Sequence, residues 1–240
     1  MIKTGLSIAS HHNSLKPATR SAGSDRVKEA GEKGVGLPLA GTVTGILLLA
    51  GCSNRMGSPK PLLPFGDQTV ISHLLKQIKY SDLSRIIVVL GHRGQAVRKE
   101  IHQSTDPSGL RIINNPDFKM GLSTSITRGL SQVEPQASGV MFLLGDQPLL
   151  TSRVINKLIN VFRSTSAPIV VPLYGKRPGN PVIFRSSLIP ELQKLTGDTG
   201  GRELVRKYRD QVQTVSIRPQ RIGWDMDTWE DYQKIKEYLL

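Results

Sequence analysis

Apolar runs and amphipathic stretches take turns along this chain, and that alternation narrows its fold more than any other feature. GILLLA (45–50), RIIVVL (85–90), GLRII (109–113), GVMFLL (139–144) and APIVVPL (167–173) read as strands. Between them, VISHLLKQIKY (70–80), GQAVRKEIHQ (94–103), STSITRGLSQV (123–133) and SRVINKLINVF (152–162) place apolar residues three and four apart, the period of a helix with one buried face. Strands that are apolar on both faces need helices on both sides. The spacing therefore predicts an α/β domain, doubly wound around a mostly parallel sheet. GNPVIF (179–184) and VQTVSI (212–217) add shorter strands, and DTWEDYQKIKEYL (227–239) reads as a last helix with Asp227 and Thr228 as candidate caps. Ligands of such sheets lie outside the carboxyl ends of the strands, so the loops after Ala50, Leu90, Ile113 and Leu144 form the expected functional edge.

Residues 1–43 lack a sustained apolar period and are rich in Ser, Gly, Lys, Ala and His, which reads as a disordered extension ahead of a single domain over 44–240. MIKTGLSIAS (1–10) has no continuous apolar core of signal-peptide length. Nowhere does an apolar run approach the ~18 residues of a membrane span, so no membrane partner is expected. One cysteine excludes an internal disulfide and a cysteine zinc cluster and fits a reducing cytoplasm. The net charge is +13. Such an excess points to anionic partners: nucleic acid, a membrane surface or phosphorylated small molecules. A basic nucleic-acid-binding module is the non-enzymatic reading, but aromatic residues make up only 5% of the chain and no helix-turn-helix or RNP-like pattern occurs, so stacking platforms are scarce.

The chemistry-bearing stretch is ILLLAGCSNRMGSPKPLLPFG (46–66), which leaves a strand and at once collects glycines and cations. Gly51 and Gly57 permit a sharp turn with inward N–H groups, and Arg55 and Lys60 add positive charge, an arrangement suited to a triphosphate. The loop is neither a Walker A sequence nor a G-x-G-x-x-G fingerprint, and a solvated surface loop is the alternative.

LAGCSNRMGSPKPLLPFG (49–66) resembles the L-x-x-G-x-S-x-R-M-G-x-x-K signature of nucleotidyltransferases that fold like the molybdenum cofactor guanylyl- and cytidylyltransferases, with Gly51, Ser53, Arg55, Met56, Gly57 and Lys60 in matching positions. NNPDFKMGLSTSI (114–126), GDQPLLT (145–151), GNPVIF (179–184), GDTGGRELV (197–205) and DMDTWEDY (225–232) match in order, so the resemblance spans 45–240. The set is most similar to the cytidylyltransferase branch, in which CTP and molybdopterin give molybdopterin cytosine dinucleotide and pyrophosphate. That resemblance implies a Rossmann-like, GT-A-like domain, Mg²⁺ as cofactor, CTP and a molybdopterin-type cofactor as partners, and a molybdoenzyme or its chaperone as recipient. Guanylyl transfer to the same cofactor and cytidylyl transfer to a sugar or polyol phosphate remain as alternatives.

The resemblance also implies site residues. Arg55, Lys60 and Asp146 are the expected catalytic groups, the two cations on the triphosphate and Asp146 on the metal. Two anionic reactants must be neutralised, and a hard carboxylate suits Mg²⁺. Asp227 is the expected second metal ligand, with capping as its alternative; Asp225, one strand step behind, is expected by alternation to face elsewhere unless a turn intervenes. Nucleotide contacts are expected from Leu49, Ala50, Gly51, Ser53, Asn115, Gly121 and Ser125, and acceptor contacts from Asn180, Gly200 and Arg202. An Asn-Pro turn plus a helix cap is the plainer reading of the Asn115 region. Three positions depart from the family pattern: Leu49 stands where a small residue is usual, Asn180 replaces the His of Gly-His-Pro, and Trp229 replaces a proline. Cys52 occupies a variable position and reads as filler.

Overall fold

The computed structural model describes residues 41–51 and 56–239. In chain order its elements are β1 (Val43–Leu49), β2 (Pro64–Phe65), β3 (Gln68–Thr69), α1 (Val70–Lys79), β4 (Arg85–Leu90), α2 (Gly94–Ser104), β5 (Leu110–Asn114), α3 (Leu122–Leu130) and β6 (Gly139–Leu144). There follow α4 (Ser152–Ser164), β7 (Ile169–Tyr174), β8 (Arg177–Pro178), β9 (Val182–Arg185), α5 (Ile189–Leu192), α6 (Arg202–Lys207), β10 (Val212–Ile217) and α7 (Trp229–Lys236). The main sheet runs β10-β7-β9-β6-β1-β4-β5, with β8 appended to β7. β1 is parallel to both β4 and β6, β4 to β5, and β7 to β10; β9 runs antiparallel between β6 and β7. β1 begins at Val43, one residue ahead of the domain start read from the sequence, and Val43 is fully buried beside Gly139. Residues 1–40 of the expected extension lie outside the described residues.

The doubly wound expectation holds. Along β1 the side chains of Val43, Leu47 and Leu49 join one apolar cluster with α1, α2 and α4, while Ile46 and Leu48 join a second with α3, α5 and α6. Period-two alternation thus feeds two cores, which is why the strand is apolar throughout. Helix α4 gives the scale for the first: Val154, Ile155, Leu158, Ile159 and Phe162 are all buried in it, at roughly 1.5–3 kcal/mol per side chain. Thr69 and Thr151 start α1 and α4 by accepting hydrogen bonds from the backbone N–H of Ser72 and Val154.

Three expectations shift. The third helix ends at Leu130 rather than 133, because the chain leaves the helical ladder in a turn through Ser131 and Gln132, from which Val133 still packs against the second cluster. GNPVIF forms a strand only from Val182, as β9 (Val182–Arg185), in the middle of the sheet. Finally, Thr228 alone caps α7, in a reciprocal box with Asp231, which leaves the Asp227 carboxylate for other work. No helix among the described residues is long and apolar enough to cross a membrane.

β4 and β5 wind away from β1 on one side while β6 lies on the other. The crevice where winding reverses lies at the carboxyl ends of β1 and β6, and a ligand is expected there.

Candidate active site

A cleft of about 530 Å³ opens at that crevice, walled by Ala50 and Gly51 after β1 and by Gly145 and Asp146 after β6. Gly145 extends the ladder past the end of β6 by donating its N–H to the Leu48 carbonyl, which delivers Asp146 to the cleft mouth beside β1. Lys60 approaches from the opposite lip on a single turn of 3-10 helix (Lys60–Leu62). Its Nζ donates to Asp227 Oδ1 at 2.7 Å and stands 3.9 Å from Asp146 Oδ2, with the side chain only 14% exposed.

A third apolar cluster brings Asp227 here. Met226 is fully buried with Met56, Phe65, Val70, Tyr232 and Ile235, and the Tyr232 hydroxyl donates to the Pro64 carbonyl. The Met226 N–H donates to the Asp146 carbonyl at 2.8 Å, locking the C-terminal segment onto the residue after β6. The segment around 225 is not a strand, so alternation does not govern it. Asp225 accepts a 2.8 Å hydrogen bond from buried Gln147, and both Asp225 and Asp227 come within electrostatic reach of Asp146.

Asp146 bears the consequence. Burial first, then Asp225, push its carboxyl up to about 6; nearby Lys60 opposes the rise and Asp227 adds to it. Its Oδ1 is buried and has no hydrogen-bond partner. A buried carboxylate oxygen left without a donor is costly unless a cation completes it. The donor set is thus of the type that holds a hard divalent ion. Among the described residues no group of three or more His, Cys, Asp or Glu is placed for metal binding; a hard ion such as Mg²⁺ commonly takes one or two carboxylates and fills its other positions with water and phosphate oxygens.

The other expected site residues divide three ways. Lys60, Leu49, Ala50, Gly51, Gly121, Ser125 and Asp146 all line the cleft, and Asp227 reaches it through Lys60. Ser53 and Arg55, with Cys52, lie outside the described residues. Asn115, Asn180, Gly200 and Arg202 do not line the cleft. Asn115 is buried; its Nδ2 donates to Thr124 Oγ1 and Ser125 Oγ, and its Oδ1 accepts from the Asp117 N–H. Those bonds use its amide to fasten the 114–117 turn to the start of α3, as the turn reading expects, although α3 starts at Gly121 without a side-chain cap. Asn180 presents its carbonyl to the Tyr174 hydroxyl at 2.7 Å. Arg202 opens α6 and is exposed, and Gly200 reaches the rim only by packing against Leu122.

Several cleft residues escaped the sequence reading: Phe118, Lys119, Leu122, Gly145 and Asp198. Asp198 Oδ1 accepts the Leu122 N–H at 3.3 Å, and the Gly197 carbonyl accepts the Ser123 N–H at 3.0 Å. Loop 197–200 therefore occupies the first amides of α3, where an anion would otherwise bind. The signal was the GDTGG stretch, whose aspartate reads as a solvated turn residue until its partner helix is known.

Leu49 keeps its place in β1, opposite Leu90, so the bulkier residue does not shift the strand. The room comes from Gly145: a Cβ there would lie 2.2 Å from Leu49 Cδ2. Gly145→Ala is expected to destabilise the protein by about 1–2 kcal/mol. Adding Leu49→Ala should remove that increment, so that the double variant melts with Leu49→Ala alone. Strict additivity in a thermal-melt cycle would show that the two positions do not share this space.

Comparison with known proteins adds three findings. A family model described as MobA-like NTP transferase domain matches residues 45–212. The molybdenum cofactor cytidylyltransferase of Escherichia coli K12 is 30% identical over 193 residues, covering 80% of this chain and 94% of the relative; nicotine blue oxidoreductase of Paenarthrobacter nicotinovorans is 26% identical over 205 residues, covering 80% and 96%. Among solved structures, the Rv0371c protein of Mycobacterium tuberculosis H37Rv in complex with manganese superposes with a TM-score of 0.68 at 31% identity, over 82% of this chain and 98% of that one.

Proposed function

Since this chain belongs to the MobA-like NTP transferase family and is a nucleotidyltransferase, we propose that it takes CMP from CTP and places it on the terminal phosphate of molybdopterin. The products are molybdopterin cytosine dinucleotide, for delivery to a molybdoenzyme or its chaperone, and pyrophosphate. The observation that carries this reading is the placing of Lys60 opposite Asp146, whose buried oxygen lacks a donor, in one cleft at the sheet's winding reversal. Preference for CTP rests on the form of the 49–66 loop and on the similarity to the E. coli cytidylyltransferase.

In the reaction an oxygen of the acceptor phosphate forms a bond to the α-phosphorus in line as the bond from that phosphorus to the bridging oxygen breaks. The electron pair of the broken bond leaves with pyrophosphate. A phosphate monoester has its second pKa near ~6, so the attacking dianion is already present at neutral pH and no general base is needed. The raised Asp146 carboxyl is then a sign of burial first and of neighbouring negative charge second, rather than of a proton acceptor. Asp146 and Asp227 would hold the divalent ion, with Mg²⁺ the proposed species. When bound, that ion supplies charge neutralisation across the triphosphate as the bridging bond breaks. Lys60 meets the leaving pyrophosphate, and Arg55 is proposed for the same work. Ala50 and Gly51 hold the nucleotide against the end of β1, and Ser125 and Gly121 close the cleft floor beside them. Asn180, Gly200 and Arg202 remain proposed acceptor contacts.

Incubation with molybdopterin, Mg²⁺ and each of CTP, GTP, ATP and UTP in turn, with pyrophosphate as readout, tests base and acceptor together. Release from CTP alone is expected. A GTP preference would make the enzyme a guanylyltransferase, and turnover only when a sugar phosphate replaces the pterin would move the acceptor.

A further inference from the structure

Resting on the reading that Asp146 and Asp227 hold the divalent ion, we infer that in the nucleotide-free enzyme the Lys60 ammonium stands in for that ion, so that the metal enters together with the nucleotide and not ahead of it. Lys60 Nζ lies between the two carboxylates, 2.7 Å from Asp227 Oδ1 and 3.9 Å from Asp146 Oδ2. Among the described residues Asp146 Oδ1 is buried and has no hydrogen-bond donor. The Lys60 ammonium offsets part of the charge of these two carboxylates without reaching that oxygen, and a divalent ion taken up between the same two carboxylates must dislodge it, because two cations held that close repel strongly.

The segment that carries Lys60 favours this use. Lys60 begins a three-residue helical turn just after Pro59, and Pro61 and Leu62 follow at once. Proline fixes the local backbone, so the lysine stem projects from a stiff base and only side-chain torsions need change for Nζ to leave. The cleft gives it somewhere to go, since Lys60 and Pro61 both line it. A bound triphosphate offers the ammonium new oxygens as the metal takes the old ones. Lys60 thereby offsets the charge of two part-buried carboxylates before substrate arrives and neutralises the leaving group afterwards. It also makes metal loading and nucleotide loading one coupled event.

The test reads metal binding, not turnover. Mn²⁺ affinity is measured without nucleotide by electron paramagnetic resonance and calorimetry for the parent protein, Lys60→Met, Lys60→Arg and Asp146→Asn. Lys60→Met is expected to bind Mn²⁺ about tenfold more tightly than the parent, the factor that corresponds to removing about 1.4 kcal/mol of competition; Lys60→Arg should stay near the parent. As a measurement on the unmodified protein, Mn²⁺ should speed acetylation of Lys60, followed by peptide mass spectrometry, because the displaced amine is exposed. Unchanged or weaker binding in Lys60→Met, or no change in Lys60 acetylation while Mn²⁺ is bound, overturns the inference and leaves the metal site standing if Asp146→Asn has lost Mn²⁺. Parental Mn²⁺ binding by Asp146→Asn overturns the metal site itself, and the inference with it.

Discussion

Near neutral pH, an Asp146→Asn protein is expected to fold at least as well as the parent yet lose roughly a thousandfold in turnover, the scale seen when a fixed group that stabilises transition-state charge is removed. The activity loss follows from the position. Asp146 is the residue that β6 delivers to the winding reversal, and its Oδ1 is the buried oxygen without a donor. The amide keeps the shape and removes the charge. Stability should move the other way because the charge is costly where it sits. The Asp146 carboxyl is pushed up to about 6 from 3.8, by burial first and by Asp225 next. A carboxyl whose folded value lies above its unfolded value adds stability in full below the unfolded value and loses it as pH rises through the folded one. The metal-free parent should thus lose this contribution between about pH 4 and pH 6–7, while Asp146→Asn lacks that slope. Thermal melts across this range, with and without Mn²⁺, check both halves: the cation should raise the parent's midpoint by linkage and leave the variant's unmoved. Near-parental turnover in Asp146→Asn would remove the aspartate from the chemistry.

How far the sequence disclosed this arrangement depends on which physical signal each part relies on. β1, β4 and β6 were plain because both faces of each strand are buried, so the run is apolar without interruption. Once they are ordered around β1, the loops after Ala50 and Leu144 must share an edge, and that alone puts Lys60 near Asp146. Asp225 falls under the alternative that a turn leaves open: its segment packs as a loop around Met226, where strand alternation does not place a side chain. The two-residue strands β2 and β3 are too short to carry any period. Asn115 has the donors and acceptor of a ligand contact, and nothing in its neighbours along the chain reveals that Thr124, Ser125 and the Asp117 N–H already use them. Contacts made across long sequence gaps, such as Gln147 with Asp225 or Gly121 with Gly197, carry no local pattern at all.

Gly121 shows what such a hidden contact is worth. Gly121→Ala is expected to destabilise the protein by about 3 kcal/mol or more, two penalties acting together. Gly121 adopts φ +110°, a conformation that side-chain-bearing residues rarely enter. A Cβ there would also lie 2.2 Å from the Gly197 carbonyl carbon and 2.7 Å from the Asp198 nitrogen. Those atoms are backbone, and they are tied in place: Ser123 donates to the Gly197 carbonyl and Leu122 to the Asp198 carboxylate. Relief therefore requires loop 197–200 to come away from α3, releasing both bonds and one wall of the cleft. Gly109→Ala supplies the comparison, since Gly109 has φ +78° with nothing within 4 Å of its would-be Cβ. It should cost only the backbone strain, about 1 kcal/mol. In a domain of this size each kcal/mol moves the melting midpoint by about 2–4 °C, so the two variants should separate by several degrees. Equal midpoints would mean that loop 197–200 yields freely, and that the junction between α3 and loop 197–200 is not fixed by close backbone packing.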